Sequence, residues 1–321
     1  MNVAVLGPGG VGGLVAGALD RAGTPVTVVA RAATAETISE RGLSVSSVLL
    51  GNFLVHPLVT ARLEQPVVDV LIVATKAAGL REALERIEAT PKLVLPLLNG
   101  LDHVAVLREH FAPETVVAGT IRVEADRPEP GVVVHTSKFL RVDMASRYPS
   151  AHAAMERLAS TLSDAGISAR VYPSNQVDSL PAERAVSLAD GGEAQVMWSK
   201  LVRLNALACT TSAYDQLLGA IRSTPNLRAD LVGAIEEGCA VAQAEGAAIA
   251  TGDPLGELTA AHDTLGSSMQ RDIAAGRPPE LDAIPGSVLR AATRHGIECP
   301  TIERLVAMIA ARAGVASPSV S

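Results

Sequence analysis

Six side chains in this sequence have types and settings suited to binding and protonating a carbonyl compound. Lys200 lies in Met197-Trp198-Ser199-Lys200-Leu201-Val202, an ammonium within an otherwise apolar helical stretch. Reduction of a ketone needs a proton for the developing alkoxide, and an ammonium both stabilises that charge and delivers the proton. The alternative is a lysine that snorkels out of a core-facing stripe. Asn99 precedes Gly100 and follows the apolar run Leu95-Pro96-Leu97-Leu98, while Lys76 follows Val73-Ala74-Thr75. A cation and a neutral amide at adjacent strand ends can hold a cofactor phosphate or ribose and orient a carbonyl, although Asn-Gly also makes turns and Lys also opens surface helices. Glu280 sits where Gly276-Arg277-Pro278-Pro279 enters a helical pattern, and Ser268 and Asp272 are spaced to share one helix face. Without further context, Ser268 reads equally well as an N-cap and Glu280 as a first-turn acid favoured by the helix dipole.

A second constellation opens the chain. Asn2-Val3-Ala4-Val5-Leu6 is an apolar strand, Gly7-Pro8-Gly9-Gly10-Val11-Gly12 a glycine turn, and Gly13 to Ala22 a helix. This is the dinucleotide-binding fingerprint in its required context. Gly7 permits the tight turn, Gly9 the close approach of a pyrophosphate, and Gly12 close helix–strand packing. The N–H groups of Gly10 and Val11 at the helix start, with the helix dipole, hold the phosphate charge. The second strand, Pro25 to Ala30, ends in Arg31, where an NAD enzyme usually carries Asp or Glu. A guanidinium can bind a 2′-phosphate that a carboxylate would repel, so NADP(H) is favoured over NAD(H). Arg31 as a solvated loop residue is the competing reading, and Glu36 lies too far along to supply the missing acid.

The elements that must position these groups alternate. Strands are expected at 67–74 and 92–96, with helices at 36–41, 77–87 and 102–110. A hairpin is expected to pair 43–47 with 53–57 across Gly51-Asn52. Further strands at 116–124 and 131–135 are expected to join through the turn Arg127-Pro128-Glu129-Pro130, followed by a helix at 151–164 and a strand at 167–172. This βα alternation predicts an α/β Rossmann-like, doubly wound sheet over residues 1–172. Residues 173–192, rich in Pro, Ser, Asn, Asp and Gly, read as a linker. From 193 to 321 only helical patterns appear, roughly at 195–218, 225–246, 254–262, 267–275, 283–295 and 301–313, which predicts a separate all-α domain for substrate and dimer contacts. Pro225 and Pro254 suit helix starts, and Gly246 and Gly296 suit helix ends.

The totals agree with a two-domain enzyme. The chain has 321 residues, 48% hydrophobic and 19% charged, which is a globular composition. Only 2% of residues are aromatic and the net charge is −7, which argues against binding nucleic acid by base stacking or by phosphate neutralisation. Three cysteines, Cys209, Cys239 and Cys299, show no metal-ligand spacing and read as buried reduced thiols of a cytoplasmic protein. No metal site, membrane span or signal peptide is expected.

Taken as an ordered set, these residues resemble the ketopantoate reductase (2-dehydropantoate 2-reductase) family over nearly the whole chain. The markers are Gly7-x-Gly9-x-x-Gly12 with Arg31, Thr75-Lys76, Asn99-Gly100, the Pro130-Gly131…His135 hairpin, Trp198-x-Lys200-Leu201, and Ser268…Asp272…Pro279-Glu280. The resemblance implies a Rossmann domain and a helical domain with the site in the cleft between them. It implies hydride transfer from NADPH to the ketone of 2-dehydropantoate, giving (R)-pantoate for pantothenate and coenzyme A biosynthesis. Lys200 then corresponds to the catalytic acid and Glu280 to the family's glutamate near the ketone and ribose. Ser268, Asp272 and Asn99 correspond to substrate-side groups, with Asn99, Lys76 and Glu280 also bordering the cofactor. One departure concerns the substrate. The family often carries Asn four and eight residues after the lysine, where this chain has Leu204 and Ala208, and Asn205 points about 100° away from that face. A relative that reduces a less polar 2-oxo acid or ketone is therefore an alternative, and a non-catalytic NADP(H) sensor a more distant one. The oligomeric state is not legible, and a homodimer is one arrangement open to the chain.

Overall fold

The computed structural model describes residues 1–172 and 192–319. The expected linker lies outside them except for Gly192. The described chain forms two compact units, one of residues 1–98, 103–172 and 192–196, the other of residues 99–102 and 197–319.

The first unit runs β1 (Val3–Leu6), α1 (Gly10–Arg21), β2 (Val26–Val29), α2 (Ala32–Arg41), β3 (Leu43–Ser47), β4 (Gly51–Val55), β5 (Leu58–Thr60), β6 (Val67–Val73), α3 (Leu80–Leu84), β7 (Thr90–Pro96) and α4 (His103–His110). It continues through β8 (Ala118–Arg122), β9 (Ala125–Glu129), β10 (Val132–His135), β11 (Arg141–Ala145), α5 (His152–Asp164) and β12 (Ser168–Val171). Five strands form one parallel sheet in the order β5-β2-β1-β6-β7. The runs of Val, Leu and Ile in β1 and β6 suit strands covered on both faces, and Val5, Leu71 and Ile72 are fully buried. The strand order reverses between β1 and β6, which is where an open α/β sheet binds its ligand, beyond the strands' carboxyl ends.

The parallel sheet is the expected Rossmann-like one, and after β7 the chain leaves it. The later strands, with the earlier hairpin β3–β4, build two small sheets, ordered β4-β3-β10-β9 and β12-β11-β8. Three local differences have identifiable causes. The β3–β4 hairpin turns at residues 48–50 rather than at Gly51-Asn52, because Ser47 Oγ accepts the N–H groups of both Leu49 and Leu50 and closes the turn early. Residues 127–129 belong to strand β9 instead of a turn. Pro128 is tolerated because β9 is an edge strand, and the reversal falls at Gly131, whose φ is +79°. Strand β11 was not expected, since Arg141 and Asp143 disguise it. These two, on one face of the strand, form an ion pair of 3.0 Å with the carboxylate buried.

The hairpin histidine is structural. His135 is buried, its Nδ1 2.8 Å from Ser47 Oγ and its Nε2 3.0 Å from Ser137 Oγ. Ser137 donates to the Phe139 carbonyl and accepts the N–H of Glu124, so the imidazole must donate through Nε2 and accept at Nδ1. Burial pushes the imidazole below the ordinary histidine value, against opposing effects of the Phe139 carbonyl and Glu124.

The second unit is helical. Its elements are α6 (Glu193–Tyr214), most of which lies in this unit, α7 (Leu218–Ser223), α8 (Pro225–Ala244), α9 (Gly252–Ala260), α10 (Ser268–Ala274), α11 (Ser287–His295) and α12 (Pro300–Ala313). No strand occurs among its described residues. The first helix ends earlier than expected because Asp215 adopts a left-handed conformation, φ +52°, with its carboxylate 2.6 Å from Arg312. Glu237 receives the N–H groups of Thr301 and Ile302, a carboxylate capping the positive end of α12. Pro225 is the first residue of α8, and Gly296 ends α11 in the left-handed conformation. All three cysteines are buried and free, as expected from their spacing.

The neutral His135 network makes a prediction. A histidine held below its unfolded value contributes stability above about pH 6.5 that is lost as pH falls through its folded value. Thermal melting between about pH 7 and 5 should therefore fall less steeply for His135→Gln than for the parent chain; parallel slopes would contradict a neutral, buried imidazole.

Candidate active site

At the end of β1, Gly7 takes φ +91°, which only glycine adopts at ease. Gly12 packs so closely on this turn that an added Cβ would lie 2.2 Å from the Gly7 carbonyl oxygen. Gly9, at the N-cap of α1, has open space where a Cβ would stand. The turn therefore offers an uncovered backbone concavity at a helix N-terminus whose first-turn N–H groups lack intrahelical partners. That shape and donor set fit a dinucleotide pyrophosphate. At Gly10 a Cβ would meet the Ala125 carbonyl at 2.4 Å, so its missing side chain also makes room for β9. Val11 follows it within the first turn of α1 and is half-buried.

Two expected cofactor residues flank this turn. Arg31 is the exposed N-cap residue of α2, with only a loose, solvated ion pair of 3.8 Å to Glu82. Lys76 is exposed just beyond β6. Thr75, which precedes Lys76 in the same marker, lies against the glycine turn. Its methyl group packs against Gly7, and its buried hydroxyl has no hydrogen-bond partner among the described residues.

Within the helical unit three of the expected residues meet. Lys200 Nζ donates to Asn99 Oδ1 at 2.8 Å, and Asn99 Nδ2 donates to Glu280 Oε2 at 3.0 Å. The carboxylate accepts only and the ammonium donates only, so the amide can be oriented one way: NH₂ toward Glu280, oxygen toward Lys200. Residues 99–102 belong to this unit although they follow β7 in the chain. Gly100 makes that possible. Its φ is +86°, and a Cβ would lie 2.0 Å from the Ala283 carbonyl oxygen, so its backbone rests directly on the segment that follows Glu280.

That segment is unusual for a reason visible in the sequence. Residues Asp282–Gly286 form a π-helical turn containing Pro285. Proline has no N–H to give the Leu281 carbonyl, and the bond is made instead by Gly286, five residues on, at 3.0 Å. The widened turn separates Glu280 from the regular helix α11.

The remaining expected residues lie on α10. Ser267, not Ser268, is the N-cap, its hydroxyl accepting the Gln270 N–H. Ser268 is exposed. Asp272 is buried and pairs with Arg277 Nε at 2.7 Å, while the Arg277 N–H donates to the Asp272 carbonyl. This double contact fixes the turn leading to Pro279-Glu280. On α6, Leu204 is half-buried and Ala208 is 1% exposed. Asn205 does not replace the family's asparagines: it is fully buried, with Oδ1 accepting the Cys209 thiol and Nδ2 without a partner among the described residues.

A Rossmann-type sheet with a glycine turn at its switch point, joined in sequence to a helical unit bearing a Lys–Asn–Glu chain, defines an oxidoreductase acting on CH–OH groups with a nicotinamide cofactor. Comparison with known proteins agrees. Residues 3–145 match the model for ketopantoate reductase PanE/ApbA, and residues 194–313 the model for its C-terminal part. A 2-dehydropantoate 2-reductase of Halobacterium salinarum is 31% identical over 326 residues, covering 96% of this chain and 98% of that one. The solved 2-dehydropantoate 2-reductase of Geobacter metallireducens is 26% identical, with a TM-score of 0.81 over 96% of this chain and 99% of that one. D-mandelate dehydrogenase, solved with NADH and anilino(oxo)acetate, shares the fold at a TM-score of 0.83 and 20% identity over 98% of this chain and 99% of that one. The chain belongs to the ketopantoate reductase family. No helix among the described residues is long and apolar enough to cross a membrane.

The tight seat of Gly100 is testable. Gly100→Ala meets both a left-handed backbone and the Ala283 carbonyl, so it should destabilise the protein by about 1–3 kcal/mol in denaturant unfolding. Unchanged stability would mean that the Asn99 segment is not held against the π turn.

Proposed function

We propose that the chain reduces 2-dehydropantoate to (R)-pantoate, a step toward pantothenate and coenzyme A, with NADPH as reductant and Lys200 as general acid. The hydrogen-bonded chain Lys200–Asn99–Glu280 is the observation that carries this reading. When bound, the reduced nicotinamide supplies a hydride for the ketone carbon. Lys200 then has two tasks at the ketone oxygen: its charge stabilises the developing alkoxide and its Nζ proton completes the alcohol. Asn99 accepts one Nζ–H and so fixes the direction in which the ammonium points. Glu280 locks the amide from its other side. Ser268, exposed at the start of α10, supplies a hydroxyl to the substrate side, and Asp272 shapes the approach to Glu280 through Arg277.

The glycine turn at Gly7, Gly9 and Gly12 holds the pyrophosphate, with Lys76 as a neighbouring cation. Arg31 supports NADPH over NADH because its guanidinium is exposed, only loosely paired, and stands where a ribose-binding acid would otherwise be.

A second reading is favoured by one observation. Leu204 and Ala208 are apolar at the positions where the family's asparagines would bind the substrate's hydroxyl and carboxylate. A site that lacks those partners discriminates less well for a polar substrate. The same chemistry on a less polar 2-oxo acid, as in the mandelate-type relative, is therefore the alternative.

Two variants test the assignment. Lys200→Ala should lower kcat by roughly 10²–10⁴ with the Kd for NADPH nearly unchanged, and normal turnover would remove Lys200 as the acid. Arg31→Ala should weaken NADPH far more than NADH in a binding titration; equal losses for both would dismiss the 2′-phosphate role.

A further inference from the structure

The proposed acid is held at the end of a lever, and the fulcrum is a residue outside the site. Arg290, on α11, is largely buried and spreads its guanidinium over three segments of the helical unit. Nη2 donates to Asp102 Oδ2 at 2.6 Å and to the Asp282 carbonyl at 2.9 Å. Nη1 donates to Asp282 Oδ1 at 2.8 Å and to the Ser319 carbonyl at 2.9 Å. Asp102 lies three residues after Asn99, and Asp282 two residues after Glu280. The fork therefore fastens together the two short segments whose side chains meet in the Asn99–Glu280 hydrogen bond. The Gly100–Ala283 backbone contact lies between these two fastenings.

We infer that Arg290 is a positioning residue: by clamping Asp102 to Asp282 it sets the Asn99–Glu280 bond, and through Asn99 the direction of the Lys200 ammonium. Three features support the assignment. The Asn99–Asp102 segment is the only part of the chain before residue 173 that belongs to the helical unit, so it needs an anchor there. The π turn carries Pro285 and forms fewer regular helical bonds, so it does not hold Asp282 by helix geometry alone. A planar guanidinium bridging two carboxylates gives fixed geometry that a lysine would not reproduce. The tail is part of the same seat, since a Cβ on Gly286 would meet Pro318 at 2.9 Å and Arg290 Nη1 at 3.3 Å.

The inference rests on Lys200 being the acid, and the experiment separates the two. NADPH-dependent reduction is measured for the full chain and for Lys200→Ala, Asn99→Ala, Arg290→Ala and the double variant Asn99→Ala/Arg290→Ala, each with thermal melting and an NADPH titration. Arg290→Ala should lower kcat roughly 10- to 100-fold while NADPH affinity holds. Asn99→Ala should cost far less in the Arg290→Ala background than in the parent, because the amide is already misplaced. Asp102→Asn keeps the acceptor and weakens only the charge, so it should fold if Arg290→Ala does not, and should show the same coupling to Asn99→Ala in milder form. Arg290→Lys should restore the melting temperature more fully than kcat. A lower melting temperature with normal kcat per folded molecule, or additive losses for Asn99 and its partner variant, would overturn the positioning role. Full turnover by Lys200→Ala would instead overturn the assignment of the acid, whatever the Arg290 series gave.

Discussion

The amide of Asn99 is the constraint on which the candidate site depends. An ammonium on a long, flexible side chain has many directions open to it, and holding one direction costs conformational entropy. Here a neutral amide does that work between two opposite charges, with hydrogen bonds of 2.8 and 3.0 Å. The amide gives its oxygen to the ammonium and its NH₂ to the carboxylate, and so fixes both side chains at once. The arrangement requires that a loop following a sheet strand reach into the helical unit, and Gly100 is the residue that lets its backbone do so. The π turn forced by Pro285 then presents Glu280 to the amide while α11 resumes normal helical pairing.

The first unit solves a separate problem with the same economy of side chains. A dinucleotide needs backbone donors and an uncovered surface, and the turn from Gly7 to Gly12 supplies both by omitting side chains. The supporting structure is less standard. The helix that follows the turn is packed on its other side by the small sheet of β3, β4, β9 and β10, close enough that Gly13 would place a Cβ 2.6 Å from Val133. His135 and its serine partners tie that small sheet together, which accounts for a hairpin histidine without any catalytic duty.

Much of this was legible in the sequence because it depends on short-range pattern. The glycine turn, the parallel strands β1, β6 and β7, and the helical second half follow from local spacing and apolar runs. So do Lys200, Asn99 and Glu280 as individual candidates, since each departs from its local surroundings. What escaped is non-local. That Asn99 stands between the other two depends on contacts 101 and 181 residues apart in the chain. Strand β9 looked like a turn because proline propensity outweighed its edge position, and β11 was hidden by a charged pair that only burial reveals. Arg290 carried no motif at all; its role is visible only through the carboxylates it reaches. The N-cap fell one residue before the expected serine, which is a choice between two adjacent hydroxyls that spacing does not decide.

In the proposed reaction a hydride passes to a 2-oxo acid while Lys200 delivers the proton. The most direct measurement is oxidation of NADPH, followed by absorbance, with 2-dehydropantoate beside a series of bulkier and more apolar 2-oxo acids. Turnover should depend on the oxo acid, with 2-dehydropantoate as substrate, or with an apolar member of the series in its place if Leu204 and Ala208 have reshaped the pocket. Tight NADPH binding with no oxidation by any of these acids would contradict the proposed reaction.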